Sequence, residues 1–328
     1  MATKLYSAAE LSNERYHSDE FPQASGSTLA AIYDTTPAEF IGGERKETKA
    51  LNDGSGLHCC VLEPAQFKQR YVRNLSLADY PESSILVTNK DLEKWIKEAG
   101  IKGYSNKDKA ELIEMIHATG ERPLIWSLML EQHAQDNADK IILSPESYDM
   151  IIAMRSAMKK LGKYIFTPEM QMEVSCISDE FKCRWDIVIP AGEMAPDGTI
   201  TKNGEIWDLK STRTVKPELF GLQSERCLYW LKMALQHDLY VAHYGVEPDR
   251  VVLLAQAKTA PYLPQAFQLT RQQLEAGREM YLHAYEVLKE CNASNTWPGY
   301  GGGVITLPTS GRAAYEFGFE DEIEIIEG

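Results

Sequence analysis

Three apolar segments between residues 171 and 212 each carry an acidic residue within a predicted strand. The acidic residues are Glu173 in "QMEVSCIS", Asp186 in "FKCRWDIVIP" and Asp208 in "GEIWDLKST". A carboxylate beside a core is costly unless a partner charge or a metal ion compensates it. These strands are therefore expected to converge on one site, and this requirement limits the folds that the chain can adopt.

Lys210 follows Asp208 by two residues, so the two side chains lie on one face of a strand. Alone, the pair fits an exposed ion pair of little energetic value or half of a metal site. Three carboxylates and a lysine on one sheet would hold Mg²⁺, which prefers oxygen ligands, and would suit phosphodiester cleavage. The lysine can orient or help deprotonate the attacking water. The next residues, Ser211, Thr212 and Arg213, are candidates for contact with the phosphate groups of such a substrate.

The remaining pattern predicts an α/β (α+β) fold with a mixed central sheet flanked by helices. A helix is predicted to start near Ser25 or Ser27 and to stop before Pro37, and a second covers 143–163. The segment 42–56 is rich in glycine and polar residues, which predicts an exposed loop. Downstream, the pattern predicts a helix over 224–245, a buried strand over 249–257, a long helix over 269–292 and a closing strand at "VITLP".

Composition restricts the class of protein. The 328 residues are 44% hydrophobic, enough for a large core, and the chain contains no apolar run long enough to span a membrane. The first residues lack the apolar core of a signal peptide, so a cytoplasmic location is expected. The six cysteines form no CxxC pair, which argues against zinc and iron–sulfur sites. The net charge of −14 argues against a nucleic-acid partner, although a basic channel can coexist with an acidic exterior.

Residues 88–117 predict a separate two-helix unit rich in lysine. The unit resembles the SAP-like helix-extension-helix motif, which implies DNA contact. The alternative is an amphipathic helical hairpin that packs on the main domain and leaves its lysines in solvent. The predicted division of the chain is an N-terminal part of the main domain, the helical insertion, the core of the main domain and an acidic tail, at 1–83, 84–120, 121–310 and 311–328.

Asp186, a hairpin and then "DLK" resemble the PD-(D/E)xK nuclease signature in its D-x-K variant. Trp185 precedes Asp186 where the name-giving motif has proline. Downstream, "QHDLY" (236–240) resembles the Q-xxx-Y helix motif of RecB-like exonucleases. Gln236 and Tyr240 share one helical face, and the resemblance implies that they reach the metal site and the DNA backbone.

A closer resemblance lies upstream. "GSGLHCCVLEP" (54–64) and "YHSDEFPQASGSTLAAIYDTTPAEF" are similar to segments of RecE-type exonucleases, also called exodeoxyribonuclease VIII. Glu169 competes with Glu173 for the glutamate position, and the strand pattern favours Glu173. The resemblance implies one set of metal and catalytic groups: His58, Glu173, Asp186, Asp208, Lys210 and the main-chain carbonyl of Leu209.

The same resemblance implies a function. RecE-type enzymes use Mg²⁺, for which Mn²⁺ can substitute, to digest linear duplex DNA from its ends in the 5′-to-3′ direction. They leave a 3′ single strand, form homo-oligomeric rings and act beside a single-strand annealing protein in bacterial or phage-infected cells. Three alternatives stay open. They are an endonuclease or 3′-to-5′ nuclease on the same fold, a non-catalytic DNA-binding recombination scaffold, and an unrelated soluble metabolic enzyme in which the motifs occur by chance.

Overall fold

A mixed sheet of seven strands lies at the centre of the described part of the chain, and it confirms the predicted fold class. The computed structural model describes residues 2–43, 49–81, 84–165, 167–192, 202–304 and 307. The predicted acidic tail and most of the "VITLP" segment lie outside these residues. The strands are β1 (Thr3–Tyr6), β2 (Ala24–Ser25), β3 (Tyr71–Arg73), β4 (Ile85–Leu86), β5 (Leu124–Ile125), β6 (Ile141–Leu143), β7 (Gln171–Ser178), β8 (Phe181–Ile189), β9 (Glu205–Thr212), β10 (Arg250–Ala257) and β11 (Pro264–Gln268).

The strand order of the sheet is β1-β7-β8-β9-β10-β11, with β2 beside β8. β8 is antiparallel to both β7 and β9, whereas β9 and β10 run parallel along their whole length. β8 shares one of its edges between two partners. β2 pairs with its beginning at Phe181 and Lys182, and β9 pairs only with its end, from Ile187 to Ile189. The sheet therefore opens between β8 and β9 at Asp186.

Helices cover both faces of the sheet. One face packs against α2, α11 and α12 around Trp185 and Tyr240, and the other packs against α4 and α9 around Trp207 and Leu209. The helices are α1 (Asn13–Tyr16), α2 (Gly26–Asp34), α3 (Pro37–Gly42), α4 (Lys49–Leu62), α5 (Pro64–Arg70), α6 (Asn89–Glu98), α7 (Lys109–Ala118), α8 (Trp126–Asp136), α9 (Pro145–Ile165), α10 (Pro217–Arg226), α11 (Tyr229–Tyr244) and α12 (Arg271–Ser294). Within the described ranges, no helix is both long and apolar enough to cross a bilayer.

The lysine-rich segment folds into the two predicted helices, α6 and α7. They enclose a small core of their own, in which Leu92 and Ile96 meet Leu112 and Ile116. Ile125 belongs to the same core and lies in β5, which pairs with β4 at the start of the unit. The packed unit thus extends beyond residue 120. Its SAP-like interpretation stays a prediction.

Two local predictions are wrong. The segment 42–56 is not a loop throughout, because α4 already begins at Lys49. Gly56 fits against α9, where a Cβ would come within 2.8 Å of Ile151, so this glycine serves close packing. The helix predicted over 224–245 is divided into α10 and α11, since Leu228 adopts a left-handed conformation with φ of 51°.

Candidate active site

Asp186 lies at the point where β8 and β9 stop pairing. The last paired residues are Ile187 and Trp207, and one residue further the Asp186 carboxylate reaches across the opening. Its Oδ2 accepts a hydrogen bond of 2.6 Å from the main-chain N–H of Leu209. A side-chain carboxylate therefore replaces the strand partner that the Leu209 N–H would otherwise need.

His58 approaches Asp186 from α4. Its Nδ1 lies 3.4 Å from Oδ2 of Asp186, and the imidazole is 28% exposed. Burial favours the neutral imidazole, but the charge and hydrogen bond of Asp186 outweigh it and raise the pKa of His58. The pKa of Asp186 is lowered, because His58, Lys210 and the Leu209 N–H together outweigh the opposing effect of burial.

Glu173 completes a group of three ligands. It has a left-handed φ of 55° and falls between the register pairs Met172–Ile187 and Val174–Trp185. One donor atom each from Glu173, His58 and Asp186 lies within 4.8 Å of the others. A strained conformation of this kind persists where the surroundings enforce it, often at functional sites.

The three-residue group fits a divalent cation. Burial first, and then the charge of Asp186, raise the pKa of Glu173 to about 8, so two carboxylates are held together at an energetic cost. A cation between them would remove that cost. Oxygen donors suit Mg²⁺ and Mn²⁺, while an imidazole is a ligand of transition metals. The group includes three of the predicted metal ligands.

Asp208 and Lys210 form an ion pair on the neighbouring strand. The Nε2 of Gln236, from α11, donates to Oδ1 of Asp208 at 3.2 Å. Burial would lower the pKa of Lys210, but Asp208 and Asp186 more than offset it and raise that pKa above its ordinary value. The charge of Lys210 also acts on His58 and Asp186, so the ion pair and the ligand group form one electrostatic unit.

Other predicted site residues are placed differently. Tyr240 is fully buried, and its hydroxyl donates to the Ile189 carbonyl at 3.2 Å. Thr212 is also buried and donates to the side chain of Gln223 at 2.7 Å. Both hydroxyls are used inside the chain, and neither faces solvent. Ser211 is half-buried and Arg213 exposed at the end of β9, where phosphate contact stays a prediction.

Leu209 contributes through its N–H, which no sequence motif indicated. The predicted ligand role of its carbonyl stays a prediction. Two half-buried cations near the site were also missed. Arg70 lines a cavity of about 420 Å³ on the side of His58 and Glu173, and Lys232 lines one of about 260 Å³ on the side of Asp208. The spacing of Lys232 four residues before Gln236 on α11 is a signal that could have found it.

Antiparallel strands that diverge at an aspartate, a following Asp-x-Lys strand and helices on both faces together define a PD-(D/E)xK nuclease fold. The family model described as "PDDEXK-like domain of unknown function (DUF3799)" matches residues 34–307. The chain belongs to this family, and the matched range includes His58, Glu173, Asp186, Asp208 and Lys210.

A solved structure agrees with this assignment at the level of the fold. It is the crystal structure of a "putative exonuclease" from Eubacterium rectale, with 13% identity and a TM-score of 0.51. The match covers 94% of this chain and 99% of that one. No curated protein matches the sequence.

Proposed function

We propose that the chain is a metal-dependent deoxyribonuclease that degrades linear duplex DNA from its ends. One observation carries the proposal. The Asp186 carboxylate is held by the strand of Asp208 and Lys210, at the edge of a three-ligand group with His58 and Glu173. A hydrolase of phosphodiesters needs such a group beside a fixed positive charge.

His58, Glu173 and Asp186 would hold the cation, whose chemistry when bound is to polarise the phosphate and to lower the pKa of a water. Lys210 is held by its ion pair with Asp208 beside the ligand group. It can orient or help deprotonate the attacking water and stabilise negative charge. Asp208 and Gln236 keep the ammonium in place.

The finer part of the proposal rests on the resemblance to RecE-type enzymes. Digestion runs 5′-to-3′ with Mg²⁺ or Mn²⁺ and leaves a 3′ single strand that an annealing protein takes up. A homo-oligomeric ring around DNA would keep the enzyme on its substrate and shield DNA from the acidic exterior. The mass of the protein in solution tests the ring, because a monomer of 37.0 kDa would contradict it.

The deciding experiment is hydrolysis of a linear duplex labelled at its 5′ or 3′ end, with a closed circular duplex beside it. Wild type with Mg²⁺ or Mn²⁺ should release the 5′ label first and leave the circle intact, and EDTA should stop the reaction. Lys210→Met should be inactive, whereas Lys289→Met, which removes an exposed lysine on α12, should retain full activity.

Other outcomes identify the alternatives. Cleavage of the circle indicates an endonuclease, and early release of the 3′ label indicates the opposite direction. Binding of DNA without hydrolysis under any metal condition indicates a scaffold. Equal activity of Lys210→Met and wild type would contradict the site itself.

A further inference from the structure

A second cavity adjoins the Asp208–Lys210 pair and shares Tyr16 and Arg184 with the cavity beside the three-ligand group. Its volume is about 260 Å³. It fills the opening of the sheet between β2 and β9, which pair with the beginning and the end of β8, respectively. Its lining carries three cations, Arg184, Lys210 and Lys232, and one acid, Asp208. A cavity with excess positive charge is notable in a chain whose net charge is −14.

Lys232 supplies the unneutralised charge. No acidic side chain of the described residues lies within ion-pair distance of its ammonium. Burial, followed by repulsion from Lys210, lowers the pKa of Lys232 despite the attraction of Asp208. The half-buried ammonium lies 5.8 Å from the ring centroid of Tyr229, and an anion from outside the chain would supply the counter-charge that it lacks.

Tight packing holds Lys232 beside the start of α2. A Cβ on Gly26 would lie 3.4 Å from both Cα and Cγ of Lys232, so the aliphatic stem runs along the first turn of the helix. Lys232 and the start of α2 therefore line the same cavity.

The start of α2 adds further donors. Ser25 is its N-cap, and the Ser25 Oγ accepts from the N–H of Thr28 at 3.2 Å and lies 3.1 Å from the Ser27 Oγ. The first main-chain N–H groups of a helix lack partners within it and attract anions. Gln236 also lines the cavity and is 8% exposed, and its Oε1 lacks a hydrogen-bond partner among the described residues. An amide oxygen accepts hydrogen bonds, so this atom needs a donor such as a water molecule that hydrates the bound phosphate.

We propose that this cavity binds a phosphate group of the DNA strand adjacent to the scissile phosphate, through Lys232 and the N-terminus of α2. The inference rests on the proposed function and adds a binding residue to it. With one phosphate in this cavity and the next beside His58, Glu173 and Asp186, the strand passes through the opening between β8 and β9. Lys210 then lies between the two phosphates.

The test measures DNA affinity by fluorescence anisotropy in EDTA, so that hydrolysis cannot interfere. Wild type, Lys232→Met, Lys232→Arg and the surface control Lys289→Met are compared at several salt concentrations. Loss of one phosphate contact should weaken binding and reduce the slope of log K against log salt by about 0.9 in Lys232→Met. Lys232→Arg and Lys289→Met should keep the wild-type slope.

Three duplexes separate the sources of the phosphate: one with 5′-phosphates, one with 3′-phosphates and one with hydroxyl ends. If Lys232→Met loses affinity for one phosphorylated duplex alone, the cavity holds a terminal phosphate. An equal loss for all three places an internal phosphate there. Unchanged affinity and slope for every duplex, in a Lys232→Met protein with wild-type thermal unfolding, would overturn the inference.

Failure of the proposed function would have a different signature. In that case wild type would not hydrolyse DNA with Mg²⁺ or Mn²⁺, whatever the salt slopes of the variants. Hydrolysis by wild type together with an unchanged slope in Lys232→Met would reject the phosphate cavity alone.

Discussion

The carboxylate of Asp186 and the main-chain N–H of Leu209 are joined by a hydrogen bond of 2.6 Å across the opening between β8 and β9. Leu209 lies between Asp208 and Lys210, so the same bond fixes the ion pair relative to the three-ligand group. The side chain of Leu209 is fully buried on the opposite face, which anchors this part of β9 in the core. The site is therefore positioned by strands and by one main-chain hydrogen bond.

The first prediction separates the charge of Asp186 from its hydrogen bond. Asp186→Asn keeps an oxygen for the Leu209 N–H but removes the negative charge, so hydrolysis of linear duplex should fall about 100-fold or more while the fold persists. Asp186→Ala removes both and should also lower the free energy of unfolding by about 2 kcal/mol. Initial rates and urea unfolding measure the two effects. Hydrolysis by Asp186→Asn at the wild-type rate would contradict the assignment.

The second prediction concerns the Asp208–Lys210 pair. Lys210→Met leaves the carboxylate of Asp208 buried without its counter-charge, and the free energy of unfolding should fall by about 3 kcal/mol. Adding Asp208→Asn removes the uncompensated charge, so the double variant should recover part of this loss but none of the activity. Urea unfolding of both single variants and the double variant provides the coupling energy. Additive losses of stability would show that the two side chains do not interact.

The strand residues of the site could be predicted because their signal is local. Asp186 and Asp208 stand within apolar strand segments, Lys210 follows Asp208 by two residues, and His58 stands four residues before a Leu-Glu-Pro sequence. The left-handed φ of Glu173 could not be predicted in this way. It depends on how β7 pairs with β8, and the pattern of residues within one strand does not show that pairing.

The errors have similar causes. Leu228 carries no glycine or proline signal, so the break between α10 and α11 is invisible to local patterns. Tyr240 shares a helical face with Gln236, but one turn along α11 that face meets Trp185 in the core instead of the cavity. Helical spacing predicts which residues are neighbours and leaves open how far the cavity extends.

The third prediction follows from the position of Tyr240. Tyr240→Phe removes the hydrogen bond to the Ile189 carbonyl and should lower the free energy of unfolding by about 1 kcal/mol. DNA affinity and hydrolysis rate should stay at wild-type values, because the hydroxyl faces the core.

Gln236→Leu is the matched comparison on the same helix. It removes the donor to Asp208, so kcat should fall about tenfold with little change in KM. If Tyr240→Phe weakened DNA binding while its stability stayed unchanged, Tyr240 would have to contact DNA after all.

The fourth prediction tests the ligand group without DNA. Mg²⁺ or Mn²⁺ that binds only the folded state should raise the melting temperature, by an amount equivalent to about 2.7 kcal/mol at 100 times Kd. Glu173→Gln and Asp186→Asn should abolish the rise, and EDTA should reverse it in wild type. Glu169→Gln is the control, since Glu169 is exposed and pairs with Lys202 away from the group. An equal rise in wild type and Glu173→Gln would exclude Glu173 as a ligand.

The fifth prediction concerns the support of α11 by α12. Asp238 lies two residues after Gln236 on α11. Its carboxylate accepts a hydrogen bond of 2.5 Å from Arg278 and one of 2.6 Å from the hydroxyl of Tyr281. Burial would raise the pKa of Asp238, but these hydrogen bonds, with that of His237, outweigh it and lower the pKa below its ordinary value. Because the folded-state pKa is the lower one, the stabilisation is complete above the unfolded pKa of about 3.9 and is lost as the pH falls below it.

Asp238→Asn should therefore lower the free energy of unfolding by about 2 kcal/mol at pH 7, and the difference from wild type should shrink below about pH 4. Urea unfolding at pH 7, 5 and 3.5 measures this difference. Glu279→Gln removes an exposed carboxylate of α12 and should show no such pH dependence. A difference between Asp238→Asn and wild type that stays constant down to pH 3.5 would mean that the charge of Asp238 does not stabilise the contact between α11 and α12.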